Sequence, residues 1–554
     1  MIARRQFGIP SLKKSSWLTL IALLAITLPA SAVTRSPKMP VAARWDPYEI
    51  TLKSPITYTN PIQEATLSAS FVSPLGEIRR VCGFWDGKKN WRVRFAPDMP
   101  GRWTFTTTCS DTANAGLHGQ AGEFVCSAAN TKTRFGLHGP IQVARDGRHL
   151  EHADHTPFFW VGDAAWEAIR RADPAQAQFY AKVRSSQKFN ATQWTLAPGQ
   201  DNKGQSAYTG KDCIAINLDF FKRLDAQVDA LNRAGLLNAI APLWEIGTAP
   251  DDALPDDQAI LLLRYAVARW GANDVAWILA FEGENSGQKA GRWKKIGRAV
   301  FGEISHAPVI LLPGETQWLL DEFRNENWVD VFGCQTARVL DEDSLQWLLT
   351  GPLTMERRKE PVRPLLTLMP PAENAPTQKE GKRLDADLTR RLLWWSALLN
   401  TPAGVSYSAQ AVAAWDTTIG ATHEGGRAEL PAWQNELFLP GARDIEALGD
   451  FFSSIDYWRL QPFPRAIPNQ PGVQSPRRFV AGEGTEDRDL LVVYVPEDRN
   501  VDVALGALPE SPTMSWVSTR DGKRRSAIPD LGTETARFST PDPGDWVLAI
   551  KERK

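Results

Sequence analysis

The sequence predicts a central (β/α)8 TIM barrel flanked by two small β-sandwich domains. Three patterns predict it. Short alternating strands divided by turn residues fill the stretch before residue 130, a strand-then-helix rhythm yields eight strands through the middle, and strands return after residue 478. With 554 residues, 43% hydrophobic and 23% charged, the composition is that of a globular multidomain chain and excludes a disordered or collagenous one.

Residues 1–32 read as a signal peptide. Arg4, Arg5, Lys13 and Lys14 form a basic region, Trp17 to Ala30 an apolar run, and Ala30-Ser31-Ala32 a small-residue cleavage site. The run is too short to span a bilayer. The mature chain is therefore expected to be exported, periplasmic or extracellular, without membrane insertion once the signal is removed.

Residues 40–130 read as the N-terminal β-sandwich, with strands such as Ala65 to Val72, Trp91 to Phe95 and Trp103 to Thr108 between turns at Pro74-Leu75-Gly76, Asp86-Gly87 and Met99-Pro100-Gly101. Residues 136–463 read as the barrel. Its strands are expected at Phe158–Gly162, Asn190–Leu196, Leu236–Leu243, Val275–Phe281, Pro308–Leu312, Val329–Cys334, Pro364–Met369 and Ala403–Tyr407. Its helices are expected near 166–187, 216–234, 257–270, 288–304 and 384–400. Residues 470–554 read as the C-terminal β-sandwich.

Net charge is −1, so no basic field is available for nucleic acid. The five cysteines form no CxxC; Cys109–Cys126 is a candidate bridge between neighbouring strands, and Cys213 and Cys334 are expected to be free and buried. No HExxH, GxSxG or Walker pattern appears. His149, His152 and His155 are read as a solvated linker and not as a metal site. No cofactor or metal is implied.

Barrel chemistry belongs at the C-terminal strand ends. Those ends carry Asp163 with Trp166, Gln193 and Trp194, Trp244 and Glu245, Glu282 and Glu284, Glu315, Gln335, Met369 with Glu373 beyond, and Tyr407. Acids, amides and aromatic rings on one face suit cleavage of a glycosidic bond, which needs one protonated acid and one carboxylate. The 22 tryptophans add a hint of sugar stacking. Glu282 ends a buried strand, where desolvation would keep a proton available. Glu284 is the fallback. Asp163 is open to two readings, helix cap or site, and Glu245 to two, ion pair or hydroxyl acceptor.

Gly162-Asp163-Ala164-Ala165-Trp166 resembles the GDTAW segment of the apiosidase-like glycoside hydrolase barrels. Trp277 to Glu282 is similar to that family's WILGGD, Gln335 to the glutamine of its QSGH, and Ala403-Gly404-Val405-Ser406-Tyr407 to its AAGHTY. Asn60-Pro61, Gly83-Phe84-Trp85-Asp86-Gly87 and Arg94-Phe95-Ala96-Pro97 resemble the β-sandwich preceding such barrels. Val493-Tyr494-Val495-Pro496 and Asp545-Trp546-Val547-Leu548 resemble a following domain named for collagen binding. The resemblance implies a secreted or periplasmic enzyme whose partner is a plant or microbial polysaccharide, such as pectin side chains. It implies Glu282 as acid/base and Glu373 as second carboxylate, with Trp166, Trp194, Trp244 and Tyr407 lining the sugar and Gln193 and Gln335 binding hydroxyls.

Two departures stand out. Ala280-Phe281-Glu282 replaces the family's GGD, and Met369 occupies the place of the first Glu in its GEPxYE, leaving Glu373 as the match to the second. Four extended residues reach ~13 Å, so Glu373 need not arrive at the same point. A catalytically inactive carbohydrate-binding barrel is the alternative.

Overall fold

The structure, a computed structural model, describes residues 39–553 except 246–252, 282–287, 319, 338–340, 352–353, 356–358, 378–381, 400–401, 420–429 and 498–499. The expected signal peptide, Glu282 and Glu284 lie outside the described residues. No helix among those described is long and apolar enough to cross a membrane.

Eight parallel strands close a barrel: β1 (Trp160–Ala164), β2 (Ala191–Thr195), β3 (Leu237–Ala241), β4 (Val275–Phe281), β5 (Val309–Pro313), β6 (Val331–Gln335), β7 (Leu365–Met369) and β8 (Pro402–Tyr407). The ring closes because β1 pairs with both β2 (Gly162 with Ala191) and β8 (Trp160 with Gly404). These strands are buried on both faces, which is why they read as nearly continuous apolar runs; all of Val275–Phe281 is buried.

The strand period of two divides the barrel core. One set, including Trp160, Ala164, Ala191, Ala239, Ala276 and Ala280, fills the lumen. The other, including Val161, Trp194, Ile240, Trp277 and Tyr407, packs against the surrounding helices. The expected helix 166–187 is interrupted: Ala168–Arg171 is followed by α1 (Pro174–Ser186), which starts afresh with a capping box between Asp173 and Gln176. Further helices are α2 (Leu218–Arg233), α3 (Asp256–Trp270), α4 (Gln288–Phe301), α5 (Ala386–Leu399) and α6 (Pro440–Ser453).

Ahead of the barrel lies a seven-stranded sheet that curls over its own core. Tyr48 and Phe124, from strands near opposite edges, stack at 4.0 Å. Its Gly83-to-Gly87 segment docks on α3: Asp86 pairs with Arg269 at 3.2 Å, and the Trp85 carbonyl accepts from the Tyr265 hydroxyl at 2.9 Å. A six-stranded and a three-stranded sheet follow the barrel.

Two cysteine expectations are corrected. All five cysteines are free. Cys109 and Cys126 do occupy neighbouring antiparallel strands, but Cys126 is opposite Gly101. The eight residues from Gly101 to Cys109 place the thiols ~26 Å apart along the strand, far beyond bridging reach. Cys213 is exposed and not buried. The histidine linker is no solvated loop either: His149 and His152 are buried, and Leu150–His152 is the middle strand of a small antiparallel sheet. Leu150 and the neighbouring Phe158 pack into the lumen cluster, so this sheet plugs the barrel's N-terminal end.

Candidate functional site

Four side chains gather at the C-terminal mouth of the barrel. Trp166 follows β1, and its carbonyl is held by the backbone N–H and hydroxyl of Thr195 at 2.8 and 2.9 Å. Trp244 pairs alongside Ala280 of β4, and its ring lies 4.6 Å from that of Trp166, tilted by 48°. Met369 ends β7 and packs on the same cluster, with its carbonyl accepting from the Thr336 N–H at 3.2 Å. Gln335 ends β6 opposite Met369. Its carboxamide is 1% exposed, and neither Nε2 nor Oε1 has a partner among the described residues. Two indoles, a thioether and an unsatisfied amide make a surface that can take a sugar ring by its C–H faces and a hydroxyl by the amide.

Beneath the mouth, the lumen holds a closed polar network. Trp160 Nε1 donates to Ser406 Oγ at 3.1 Å, Ser406 donates to Gln193 Oε1, and Gln193 Nε2 donates to the Leu368 carbonyl at 2.7 Å. Gln193 is thus spoken for, tying β2 to β7 and β8. Gly162 makes room for it: a Cβ there would meet Trp160 Nε1 at 2.3 Å and Ser406 Oγ at 2.5 Å.

Five expected site residues, Asp163, Tyr407, Glu373, Trp194 and Glu245, are engaged with the helix layer, away from the lumen. Asp163 accepts from Arg184 Nε and the Tyr180 hydroxyl, both at 2.7 Å, with Asp163 and Arg184 fully buried. Tyr407 packs on Phe189 and donates its hydroxyl to Glu373 at 2.6 Å. Burial pushes the Tyr407 hydroxyl well up in pKa, and the Glu373 charge adds to it. Glu373 also accepts from the Gly441 N–H at the start of α6, at 3.1 Å, so it serves as an anchor for that helix. Burial raises the Glu373 pKa; the Tyr407 and Gly441 donors pull it down, and Asp444 and Glu436 push it up. Trp194 packs edge-on against Trp270 and donates to Asn238 at 3.2 Å. Glu245 is tied to Arg292 of α4 at 2.9 Å.

For Asp163, Trp194 and Tyr407 the cause is parity. Within each strand only alternate residues enter the lumen, and reading strand ends without fixing that alternation admits Asp163, Trp194 and Tyr407 along with their inward neighbours. Arg184 and Tyr180, four apart on α1, were the signal that a carboxylate lay beneath them. One mouth residue was missed. Glu167 follows Trp166, accepts from the Thr195 hydroxyl at 3.3 Å, pairs with Arg170, and keeps 35% of its side chain exposed. Glu315 is half-buried in the loop whose Thr316 N–H donates to the Gln335 carbonyl at 3.2 Å.

Among the described residues no cluster of His, Cys, Asp and Glu could hold a metal ion.

The family model for the apiosidase-like catalytic domain matches residues 144–459, and a domain of unknown function, DUF5060, matches residues 41–110. No curated protein matches the chain. Among solved structures, one described as a glycoside hydrolase is 17% identical with a TM-score of 0.66, covering 76% of this chain and 99% of its own. A glycoside hydrolase family 5 structure from Bacteroides vulgatus ATCC 8482 is 17% identical with a TM-score of 0.66, over 76% of this chain and 95% of that one. A third structure, from the same strain, is 16% identical with a TM-score of 0.64, over 93% of this chain and 100% of that one. At these identities the solved structures share the fold, while the family model covers more than half of the sequence, and by it the chain belongs to the apiosidase-like catalytic domain family.

Proposed function

We propose that the protein is an exported glycoside hydrolase that cleaves O-glycosyl bonds of a plant or microbial polysaccharide at the C-terminal mouth of the barrel. The observation that carries this reading is the mouth itself, where the Trp166–Trp244 pair, Met369 and the unsatisfied Gln335 amide converge. Family membership supports it. In this reading Glu282, which follows the end of β4, is the general acid/base. The contacts of Glu373 and Glu245 argue against either as its partner. Glu167, half-buried just after β1 and paired with Arg170, stands beside Glu284 and Glu315 as a candidate for the second carboxylate.

Glu282→Gln is expected to fold normally and to lower kcat on a cleaved polysaccharide by about 10²–10⁴, the usual share of general acid–base catalysis. Reducing-end release across a polysaccharide panel measures it, and unchanged turnover removes Glu282 from the mechanism. A second reading, a non-catalytic carbohydrate-binding barrel, is favoured by the engagement of both Glu373 and Glu245 elsewhere. Saccharide binding by calorimetry, without reducing-end release from any panel member, would establish that reading instead.

A further inference from the structure

Glu167 directly follows Trp166, and three attachments fix it at the barrel mouth. Its backbone N–H donates to the Ala413 carbonyl, in the short helix Gln410–Ala414 after β8, at 2.9 Å. One carboxylate oxygen accepts from the Thr195 hydroxyl at 3.3 Å, and the other accepts from Arg170 Nη2. Thr195 shares the strand parity of Ala191 and Gln193, both of which enter the lumen. Its hydroxyl therefore lies on the lumen side of β2 and holds the carboxylate there, one residue on from the indole that meets Trp244.

Arg170 is buried behind this carboxylate. Its Nη2 meets Glu167, and its Nη1 donates to the Gln200 carbonyl at 3.3 Å. The chain after β2 bends closely around it. A Cβ on Gly199, which has a φ of +135°, would lie 1.4 Å from Arg170 Nη1. Two residues earlier, the Ala197 carbonyl accepts from the Trp244 N–H at 2.8 Å. One loop thus seats both Arg170 against Glu167 and Trp244 beside Trp166. An ionised carboxylate offers about four lone-pair sites, and Thr195 and Arg170 occupy two. The Glu167 side chain keeps 35% of its surface exposed, so the remaining sites are open to donors arriving at the mouth. A carboxylate held at both oxygens stays in one place, which suits it to accept from sugar hydroxyls.

On the reading that the mouth is the saccharide site, we propose that Glu167 is a substrate-binding residue accepting from hydroxyls of the sugar at the Trp166–Trp244 pair, and that Arg170, which touches no sugar, is the positioning residue that fixes its carboxylate. Titration calorimetry of the full chain with xylotetraose, arabinotetraose, galactotetraose and cellotetraose, with initial rates on any that is cleaved, tests this. Wild type is expected to bind at least one. Glu167→Gln is expected to weaken that binding about tenfold, as loss of a charge-assisted hydrogen bond does, raising KM while kcat stays nearly unchanged. Arg170→Met is expected to weaken it by a similar factor, and Arg170→Lys to recover part of the loss, because an ammonium still meets the carboxylate without the guanidinium's fork. Unaltered affinity in folded Glu167→Gln or Arg170→Met protein leaves the two as a scaffold ion pair and overturns the proposal. A collapse of kcat in Glu167→Gln with KM unchanged also overturns it, by making Glu167 a catalytic carboxylate. Wild type that binds none of the four overturns the saccharide reading of the mouth itself, an outcome distinct from the loss of binding in the variants alone. Should Arg170→Met not fold, Thr195→Val removes only the hydroxyl on the other carboxylate oxygen and must weaken binding; an unchanged affinity there overturns the proposal equally.

Discussion

A buried carboxamide with both donor and acceptor unsatisfied costs a fold about 1–3 kcal/mol per group, and among the described residues Gln335 at the barrel mouth has a partner for neither. Replacing it with a side chain of similar shape and no polar atoms separates stability from function. Gln335→Met is expected to leave the urea midpoint unchanged or to raise stability by up to about 2 kcal/mol, and to weaken saccharide affinity about tenfold. Paired denaturation and calorimetry check it. A loss of stability with affinity intact would assign Gln335 to the scaffold. Gly162 behaves in the opposite way. Its missing Cβ is the space taken by Trp160 and Ser406, so Gly162→Ala is expected to destabilise by about 1–3 kcal/mol through overpacking, read as a lower urea midpoint with an unchanged m-value.

At the scale of elements, buried ion pairs and hydrogen bonds fasten helices to barrel strands. Arg184 of α1 reaches Asp163 of β1, and its Nη1 also donates to the Leu437 carbonyl at 3.0 Å, tying in the chain that leads to α6. Glu373, after β7, holds the N-terminus of α6 through Gly441, where a Cβ would come within 2.4 Å of the carboxylate. Removing one partner of such a pair strands the other charge. Asp163→Asn is expected to cost about 3–5 kcal/mol and to lower activity only in proportion to the unfolded fraction. Thermal melts and turnover measured well below the midpoint distinguish this from a catalytic role, in which turnover would collapse in fully folded protein.

Across the whole molecule, the C-terminal β domain meets the barrel through the stacked Trp394–Tyr494 pair, the Arg391–Glu497 ion pair and a buried cluster around Arg390. Arg390 of α5 donates to Asp545 at 2.8 Å through both Nε and Nη2, to Asp444 at 2.8 Å and to Asp387 at 2.6 Å. Arg520 approaches Asp387 and Asp545 at 3.4 and 3.5 Å. Three carboxylates facing two guanidinium groups leave one negative charge in excess. Burial, aided by the Asp545 charge and opposed by Arg390, pushes Asp444 up to about 6 from its ordinary 3.8. Because the folded protein holds this proton more tightly than the unfolded chain, stability falls as pH rises from 3.8 to about 6, by about 1.4 kcal/mol per unit. Asp444→Asn keeps an acceptor for Arg390 and removes the titration. Its stability is expected to decline less than wild type across that window, by roughly 1–3 kcal/mol, as checked by urea melts at pH 4 and pH 7.

The alternation of apolar runs and helical spacing was enough to specify an eight-stranded barrel, because strands buried on both faces and helices buried on one must write those periods into the chain. The sequence also placed Trp166, Trp244 and Gln335 at strand ends, where the structure brings the three to one mouth. What it left open was the inward or outward sense of each strand end and the partner of each polar side chain. Asp163 and Glu373 look alike as strand-end acids until Arg184, from a helix 21 residues on, and Gly441, from one 68 residues on, close on them. Pairings over such separations are set by how the layers pack, and a local pattern carries no record of which distant group will arrive. That same packing left the Gln335 carboxamide without a partner among the described residues, so the candidate site at the barrel mouth is decided by the tertiary structure.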